Sequence, residues 1–443
     1  MKVLIIDAWG GDGMLDIVLR MQDAGHAVRW FFHKTDRNEN YGRGLTQRVA
    51  DWRDHWRWAD LVVLADNTKY LREIDSLRKA DKNKRVIGAT NDAAKWELDR
   101  DHGQKVFKRA GIPVPPFREF SDYPSAIAYV KRENRAFVCK PSYDEPDKSL
   151  SYVAKSPADL VYMLERWQKA KRHKGPFILQ EKISGCEMAV GNFFGRHGFS
   201  PGWCENWEFK ALMAGDRGPN VGEMGTVLRF VTASKLADKV LKPLEDRIAA
   251  TGHTGYVDVN CIIDDKGDPW PLEFTMRFGW PTFNIQQALL QEDCAEWLAD
   301  LCDGRSSRPF KLDTVSTGVV MALPEFPYGK TPLDKVTGVP VYGLDKAAVR
   351  RRVHPCELMQ GRNIPCDVNG QVVNMDCLLS AGEYLLVVSG TGDSVRSSRG
   401  KAYRTLDEIK APASPFWRPD IGQRLKEQLP MIQTHGYARG LNF

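Results

Sequence analysis

Five residues could together handle a phosphoanhydride and a carboxylate: Lys140, Glu187, Asp258, Glu273 and Arg277. Phosphoryl transfer from a nucleoside triphosphate needs cations on the phosphates, acidic ligands for a divalent metal and a pocket for the base. Lys140 ends the apolar run Phe137-Val138-Cys139, and Lys105 lies on the helix that precedes it, so the two could clamp phosphates from opposite sides. The run Ile178-Leu179-Gln180-Glu181-Lys182-Ile183 offers backbone groups to an adenine edge. Glu187, a few residues on, can accept both ribose hydroxyls through charge-assisted hydrogen bonds.

Side chains alternate along a strand, so Asp258 and Asn260 share one face, as do Glu273, Thr275 and Arg277. If the two segments pair through the turn at 264–268, Asp258 and Glu273 converge. Magnesium prefers one or two carboxylates with phosphates and water completing its shell. Arg277 could then stabilise an anionic acyl phosphate and tetrahedral intermediate. The plainer alternative is that Asp258 only bridges to Arg277.

The elements that must hold these residues follow from hydrophobic period. Residues 1–90 read as βαβ units: apolar runs at 3–6, 61–64 and 86–87, a glycine turn at 10–13 and a helix over 14–24. Continuous apolar strands alternating with helices predict a parallel sheet covered on both faces, with the Gly10-Gly11 turn at its carboxyl edge. Residues 90–107 read as one helix, stopped by Ile112-Pro113-Val114-Pro115-Pro116. A compact α+β module follows, with helices near 125–132 and 157–170 and strands at 136–140, 150–154 and 177–180, in the place of a mobile lid. Strands at 257–263 and 270–274 belong to a larger unit, and another α+β unit follows residue 311.

At these residues the chain resembles the phosphoribosylamine–glycine ligase family of ATP-grasp enzymes. Arg217-Gly218-Pro219-Asn220-Val221-Gly222-Glu223-Met224-Gly225 is close to its T-G-P-N-T-G-G-M-G signature, and Lys210 falls where the family has a lysine. Glu273-Phe274-Thr275-Met276-Arg277-Phe278-Gly279 resembles E-F-N-C-R-F-G, and Trp417-Arg418-Pro419-Asp420-Ile421-Gly422 resembles part of its final domain. The resemblance implies an α/β and α+β multidomain chain with the ATP-grasp fold. Its expected parts are a Rossmann-like domain (1–90), an ATP-grasp core (91–122 and 181–310), an inserted lid (123–180) and a C-terminal domain (311–443).

It also implies ATP with magnesium, or manganese in its place, and an amide-forming ligation within purine biosynthesis. Carried over, Lys105, Lys140, Gln180, Glu181, Ile183 and Glu187 bind nucleotide, with Lys148 and Ser149 in the lid loop. Asp258, Glu273 and Thr275 hold metal, Lys140 and Arg277 serve the reacting centre, and Gly10, Gly11, Lys210, Asn220 and Arg277 meet substrate.

Departures fall at the acceptor end. The family's first turn reads G-G-R-E-H, whereas Gly10-Gly11 is followed by Asp12-Gly13-Met14, so the arginine and histidine suited to a sugar phosphate are missing. The asparagine metal ligand is Thr275, and the D-P-E after R-F-G is Trp280-Pro281-Thr282. An acceptor other than phosphoribosylamine, such as a modified nucleotide or base, is the alternative, and a catalytically silent nucleotide-binding protein is a third.

The net charge of +6 over 443 residues is spread in short runs, which favours anionic small molecules over nucleic acid. Nine scattered cysteines without a C-x-x-C pair argue against zinc or a disulfide framework. No apolar run reaches membrane-helix length, and without a leader-like start a cytoplasmic monomer or weak homo-oligomer is expected, its partners an amino-acid carboxylate and an amine. Trp52 and Trp56 read as helix neighbours packed on the sheet; His253, His354, Cys186 and Cys261 read as structural.

Overall fold

The computed structural model describes the chain except residues 11–12, 143–149, 173–174, 306, 325, 328–331, 345 and 369. Gly11 at the first turn and Lys148 and Ser149 in the lid loop therefore lie outside the described residues.

The first sheet is fully parallel, in the order Gln47–Val49, Ala27–Phe31, Lys2–Ile6, Leu61–Leu64, Arg85–Ile87. Its central strands are almost uniformly apolar because helices cover both faces. The strand order reverses between Lys2–Ile6 and Leu61–Leu64, which opens a crevice at their carboxyl ends. Gly10 turns the chain there at φ 62°, where a Cβ would lie 2.6 Å from the Phe32 ring. Gly13, at φ 126°, starts the helix Met14–Asp23.

Two expectations change here. Residues 90–107 form two helices, Asn91–Leu98 and Arg100–Arg109. Asp99 leaves helical geometry and caps the second by accepting from the His102 N–H at 2.9 Å. Trp52 and Trp56 flank a 3₁₀ turn, Arg53–His55, instead of an α-helix. The Asp51 carboxylate accepts the Arg53 N–H and so favours a tight turn. The packing itself is as expected: both rings are buried and meet edge to face, centroids 5.9 Å apart.

The strands Phe117–Phe120, Phe177–Glu181, Phe137–Pro141 and Tyr152–Val153 form a separate four-stranded sheet. The helices Tyr123–Glu133 and Pro157–Ala170 cover it, each capped by a side chain (Asp122, Ser156) and opened by proline. Phe137, Leu160, Leu164 and Phe177 are among the residues of its own hydrophobic cluster. Phe117–Phe120 is a strand the sequence reading did not include.

Among the described residues the main sheet has nine strands, eight on one path and a ninth, Gly198–Phe199, paired antiparallel beside Cys186–Gly195. Its path runs Pro269–Thr275, Gly255–Ile263, Cys186–Gly195, Trp203–Glu208, Gly225–Val231, Val315–Ala322, Tyr384–Gly392, Val353–Pro355, and every neighbour is antiparallel. Residues after 311 thus extend this sheet and add a smaller one from Pro340–Val341, Gln371–Ser380 and Leu358–Val368.

On one face of the main sheet, Glu205 and Arg229 form a buried ion pair at 2.8 Å. Ser234 donates to the same carboxylate, and the guanidinium also donates to the Arg439 carbonyl. Across the N-terminal helix, buried Asp16 accepts from Arg20 and Asn284 and meets His354 at 2.8 Å, joining three parts of the chain. Removing one partner of a buried pair strands the other charge. Arg229→Ala is therefore expected to lower unfolding free energy by about 3–5 kcal/mol, read as the shift of a urea denaturation curve.

Candidate active site

The main sheet has one strongly polar face, and its register explains why. Glu187 lies opposite Ile262, Ala189 opposite Asn260 and Gly191 opposite Asp258. On the other side of the same strand, Ala189 pairs with Asn206. Glu208 pairs with Thr226, and Glu273 with Asn260. Alternation then puts Glu187, Asn206, Glu208, Thr226, Asp258, Asn260 and Glu273 on one side. Ala189 and Gly191 form a low floor over which side chains from flanking strands reach. Asn206 donates to Asp258 at 2.8 Å, and Asn260 donates to Glu208 at 3.0 Å. The amide orientations follow, since a carbonyl turned toward a carboxylate would be repulsive.

Lys210 lies at the centre. Its Nζ is 3.0 Å from Glu187, 3.0 Å from Glu208 and 3.4 Å from Glu273. The hairpin of Ala211–Met213 and Arg217–Asn220 holds it in place: Val221 N–H donates to the Lys210 carbonyl at 2.9 Å. Buried Arg418 braces that hairpin by donating to the Ala211 carbonyl while paired with Asp216 and Asp420. This is the structural role of the W-R-P-D segment.

Burial alone would lower the Lys210 pKa, but the carboxylates of Glu187, Glu208 and Glu273 outweigh it and raise it well above the ordinary lysine value. Burial pushes Glu273 up, yet Lys210, Arg100 and Lys140 together hold it far below the usual carboxylate range. Burial and the neighbouring Glu208 push Asp258 up to about 7. Burial raises Glu208 and Glu223 as well. Lys140 reaches in from the four-stranded sheet and donates to Gln180 at 3.1 Å. Burial, then the nearby Arg100, bring its pKa down to about 8.

At the edge of this face Arg277 Nε meets Glu97 at 3.2 Å. The same Glu97 accepts from Asn67 at 2.8 Å and from the Met276 N–H at 2.7 Å. Asp258 accepts instead from Asn206 and from the Tyr256 hydroxyl at 3.0 Å. Among the described residues, no three His, Cys, Asp or Glu side chains are arranged to hold one metal ion. Glu273 stands opposite Asn260, whose buried carbonyl oxygen has no hydrogen-bond partner, and Asp258 stands opposite Thr275. This all-oxygen set of one carboxylate, one amide oxygen and a hydroxyl suits magnesium shared with phosphates and water. The expected direct convergence of Asp258 with Glu273 is displaced by one register pair.

A family model of the phosphoribosylglycinamide synthetase ATP-grasp (A) domain matches residues 99–283, the stretch that carries this face and the four-stranded sheet. Over this stretch the chain is similar to the phosphoribosylglycinamide synthetases, and its architecture is that of the ATP-grasp fold. The phosphoribosylamine–glycine ligase of Xanthomonas campestris pv. campestris is 27% identical over 358 residues, covering 77% of each chain. That of Salmonella typhimurium is 23% identical over 367 residues, covering 80% of this chain and 81% of its own. The crystal structure of phosphoribosylamine–glycine ligase from Thermotoga maritima superposes with a TM-score of 0.70 at 18% identity, over 95% of this chain and all of that one. An L-amino acid ligase from Bacillus licheniformis gives 0.56 at 13% identity, over 93% and 98% of the two chains. These structures share the ATP-grasp fold.

Within this ATP-grasp arrangement the structure gathers Lys140, Gln180, Glu187, Lys210, Asp258 and Glu273 around one face. Glu181 and Ile183 lie where the four-stranded sheet passes into the main sheet, with the Glu181 N–H donating to the Pro116 carbonyl. Lys105 is not brought there: it is exposed and paired with Asp101 one turn earlier. Asn220 is exposed at the hairpin end, and Gly10 donates its N–H to Asp7 at 2.9 Å. Sequence reasoning missed Glu208, Asn206, Glu223 and Arg100, the last 3.6 Å from Glu273. The alternation Cys204, Asn206, Glu208 before Lys210 was the available signal for two of them. Cys186, Cys261, His253 and His354 are buried, as structural roles require.

Lys210 gains partners on folding, so its contribution is complete below its ordinary pKa and is lost only as pH climbs through the raised one. Lys210→Met should cost up to about 3–5 kcal/mol near pH 8. That cost should shrink on acidification as the stranded carboxylates take up protons, a trend read from urea midpoints across pH.

Proposed function

We propose that the chain is an ATP-dependent carboxylate–amine ligase that forms an amide through an acyl phosphate. The observation that carries this reading is the polar sheet face, where Lys140, Lys210, Glu187 and Glu273 meet beneath the lid sheet. In this reading the parts are the Rossmann-like domain to about 90, the core, the lid over 123–180 and the C-terminal unit from 311.

A carboxylate oxygen of the amino-acid substrate attacks the γ-phosphorus, and the bond to the bridging oxygen breaks to release ADP. The amine nitrogen then attacks the acyl carbon, the C–O bond to phosphate breaks, and the nitrogen gives up a proton. Lys140 and Lys210 supply positive charge to the phosphates, and Arg277 supplies it to the oxygens of the acyl phosphate. Glu187 accepts the ribose hydroxyls, with Gln180, Glu181 and Ile183 at the adenine. Glu273, with Asn260, Thr275 and Asp258 beside it, would hold magnesium, or manganese. When bound, that ion neutralises charge on the transferred phosphoryl group.

The phosphoribosylamine–glycine ligases among its relatives suggest glycine and phosphoribosylamine as substrates, and with them purine biosynthesis in the cytoplasm. No described helix is long and apolar enough to cross a membrane. A second reading keeps the activation step and changes the amine. The first turn favours it: the Ala8 and Gly10 N–H groups are taken by Asp66 and Asp7.

ADP release with magnesium across pairs of amino acids and amines tests the proposal. Turnover with at least one pair is expected, and ATP binding without turnover for any pair would contradict it. Glu273→Gln should abolish turnover while nucleotide affinity partly survives; Glu187→Ala should weaken ATP binding by roughly 1.5–3 kcal/mol. Lys140 is charged below its value of about 8. ADP affinity should therefore fall as pH rises through that value, and Lys140→Arg should flatten the profile, both read by calorimetry.

A further inference from the structure

The crevice where the first sheet reverses its strand order carries features that the phosphate machinery does not use. Trp9, just past the strand Lys2–Ile6, is 59% exposed. It is nonetheless pinned: its indole N–H donates to Thr68 at 2.8 Å, its carbonyl accepts from Asn38 at 2.9 Å, and the Lys69 ammonium sits 3.9 Å from the ring centroid. Exposing a large apolar ring while fixing its orientation wastes hydrophobic burial unless something else covers it.

Thr68 also lines a cavity of about 570 Å³ between the 66–70 loop and the helix Asn91–Leu98. Asn67, 1% exposed, lines the same cavity. Its amide nitrogen is committed to Glu97, and its carbonyl oxygen is buried with no hydrogen-bond partner. A buried acceptor left unpaired costs free energy, and a ligand N–H placed there would remove that cost. Glu97 in turn holds Arg277, so Asn67 is two hydrogen bonds from the proposed reacting centre.

The turn is also unsuited to phosphate. Its Ala8 N–H donates to Asp66 at 2.7 Å and its Gly10 N–H to Asp7 at 2.9 Å. Among the described residues of the turn, these two N–H groups are thus satisfied by the protein's own carboxylates, whose charge repels an anion.

We infer that this crevice binds the amine substrate, and that the substrate carries a flat heteroaromatic ring stacked on Trp9 and an N–H donated to Asn67, with no phosphate at the turn. The inference rests on the ligase reading and names its acceptor class.

Calorimetry on the full chain, saturated with magnesium and the imido analogue of ATP, separates the two claims. The probes are 5′-amino-5′-deoxyuridine, a flat ring with an amine, and glucosamine 6-phosphate, an amine with a phosphate and no flat ring. The uridine probe should bind and the sugar phosphate should not. Trp9→Ala should weaken the uridine probe about fivefold or more, the scale of one base–aromatic stack. Trp9→Phe should recover most of that loss, and affinity for the ATP analogue should be unchanged in both.

No binding of the uridine probe, equal binding to Trp9→Ala, or preference for the sugar phosphate would each overturn the inference. So would a Trp9→Ala protein that binds the probe normally but changes oligomeric state, since Trp9 would then face a second copy. Failure of the ATP analogue itself to bind would instead defeat the ligase reading.

Discussion

The contact on which the rest depends is Lys210 among three carboxylates. Glu187, Glu208 and Glu273 come from three different strands, and without a central cation their mutual repulsion would be severe in a partly desolvated site. The lysine cannot be held by its own strand alone, because it lies just beyond the end of Trp203–Glu208. Hence the hairpin after it, the backbone bond from Val221, and the buried Arg418 that fastens the hairpin to the C-terminal segment. Chemistry at one point of the sheet therefore depends on residues more than 200 positions later.

Around that centre the charges sort by environment. Glu273, near three cations, stays ionised, as the proposed metal-binding role requires. Burial and the neighbouring Glu208 push Asp258 and Glu223 toward the neutral form. Lys140 is buried and close to Arg100, which keeps its proton loosely held until an anion arrives. In the proposed function a triphosphate would bring Lys140 the negative charge that its hydrogen bond to Gln180 does not supply.

Much of this was legible in the sequence, and the limits have physical reasons. Local periodicity identified three of the five parallel strands, the helices over the four-stranded sheet and the paired strands bearing Asp258 and Glu273, but not the strands Ala27–Phe31 and Gln47–Val49. It could not fix the register of the paired strands: a bulge between Asn260 and Cys261 shifts the pairing by one residue, so that Asn260 and not Val259 faces Glu273. The single helix expected over 90–107 failed at Asp99, where a cap residue inside an otherwise helical pattern began a second helix. Lys105 has the residue type for a phosphate ligand, but its place on the helix turned it to solvent and to Asp101. Arg100 was invisible for a different reason: it opens the helix Arg100–Arg109 and meets Glu273, 173 positions later, only in the folded chain. Trp9 was passed over because no residue type announces exposure; only the fold could show an indole held open at the strand-order reversal.

The central claim is that this polar face drives carboxylate activation by ATP. The most direct test is positional isotope exchange: ATP labelled with heavy oxygen at the β–γ bridge is incubated with magnesium and an amino acid, with no amine present. Reversible acyl phosphate formation predicts that the label scrambles into the non-bridging β positions, and only when the carboxylate substrate is added. An intact label with every carboxylate tried, from protein that demonstrably binds ATP, would contradict the account.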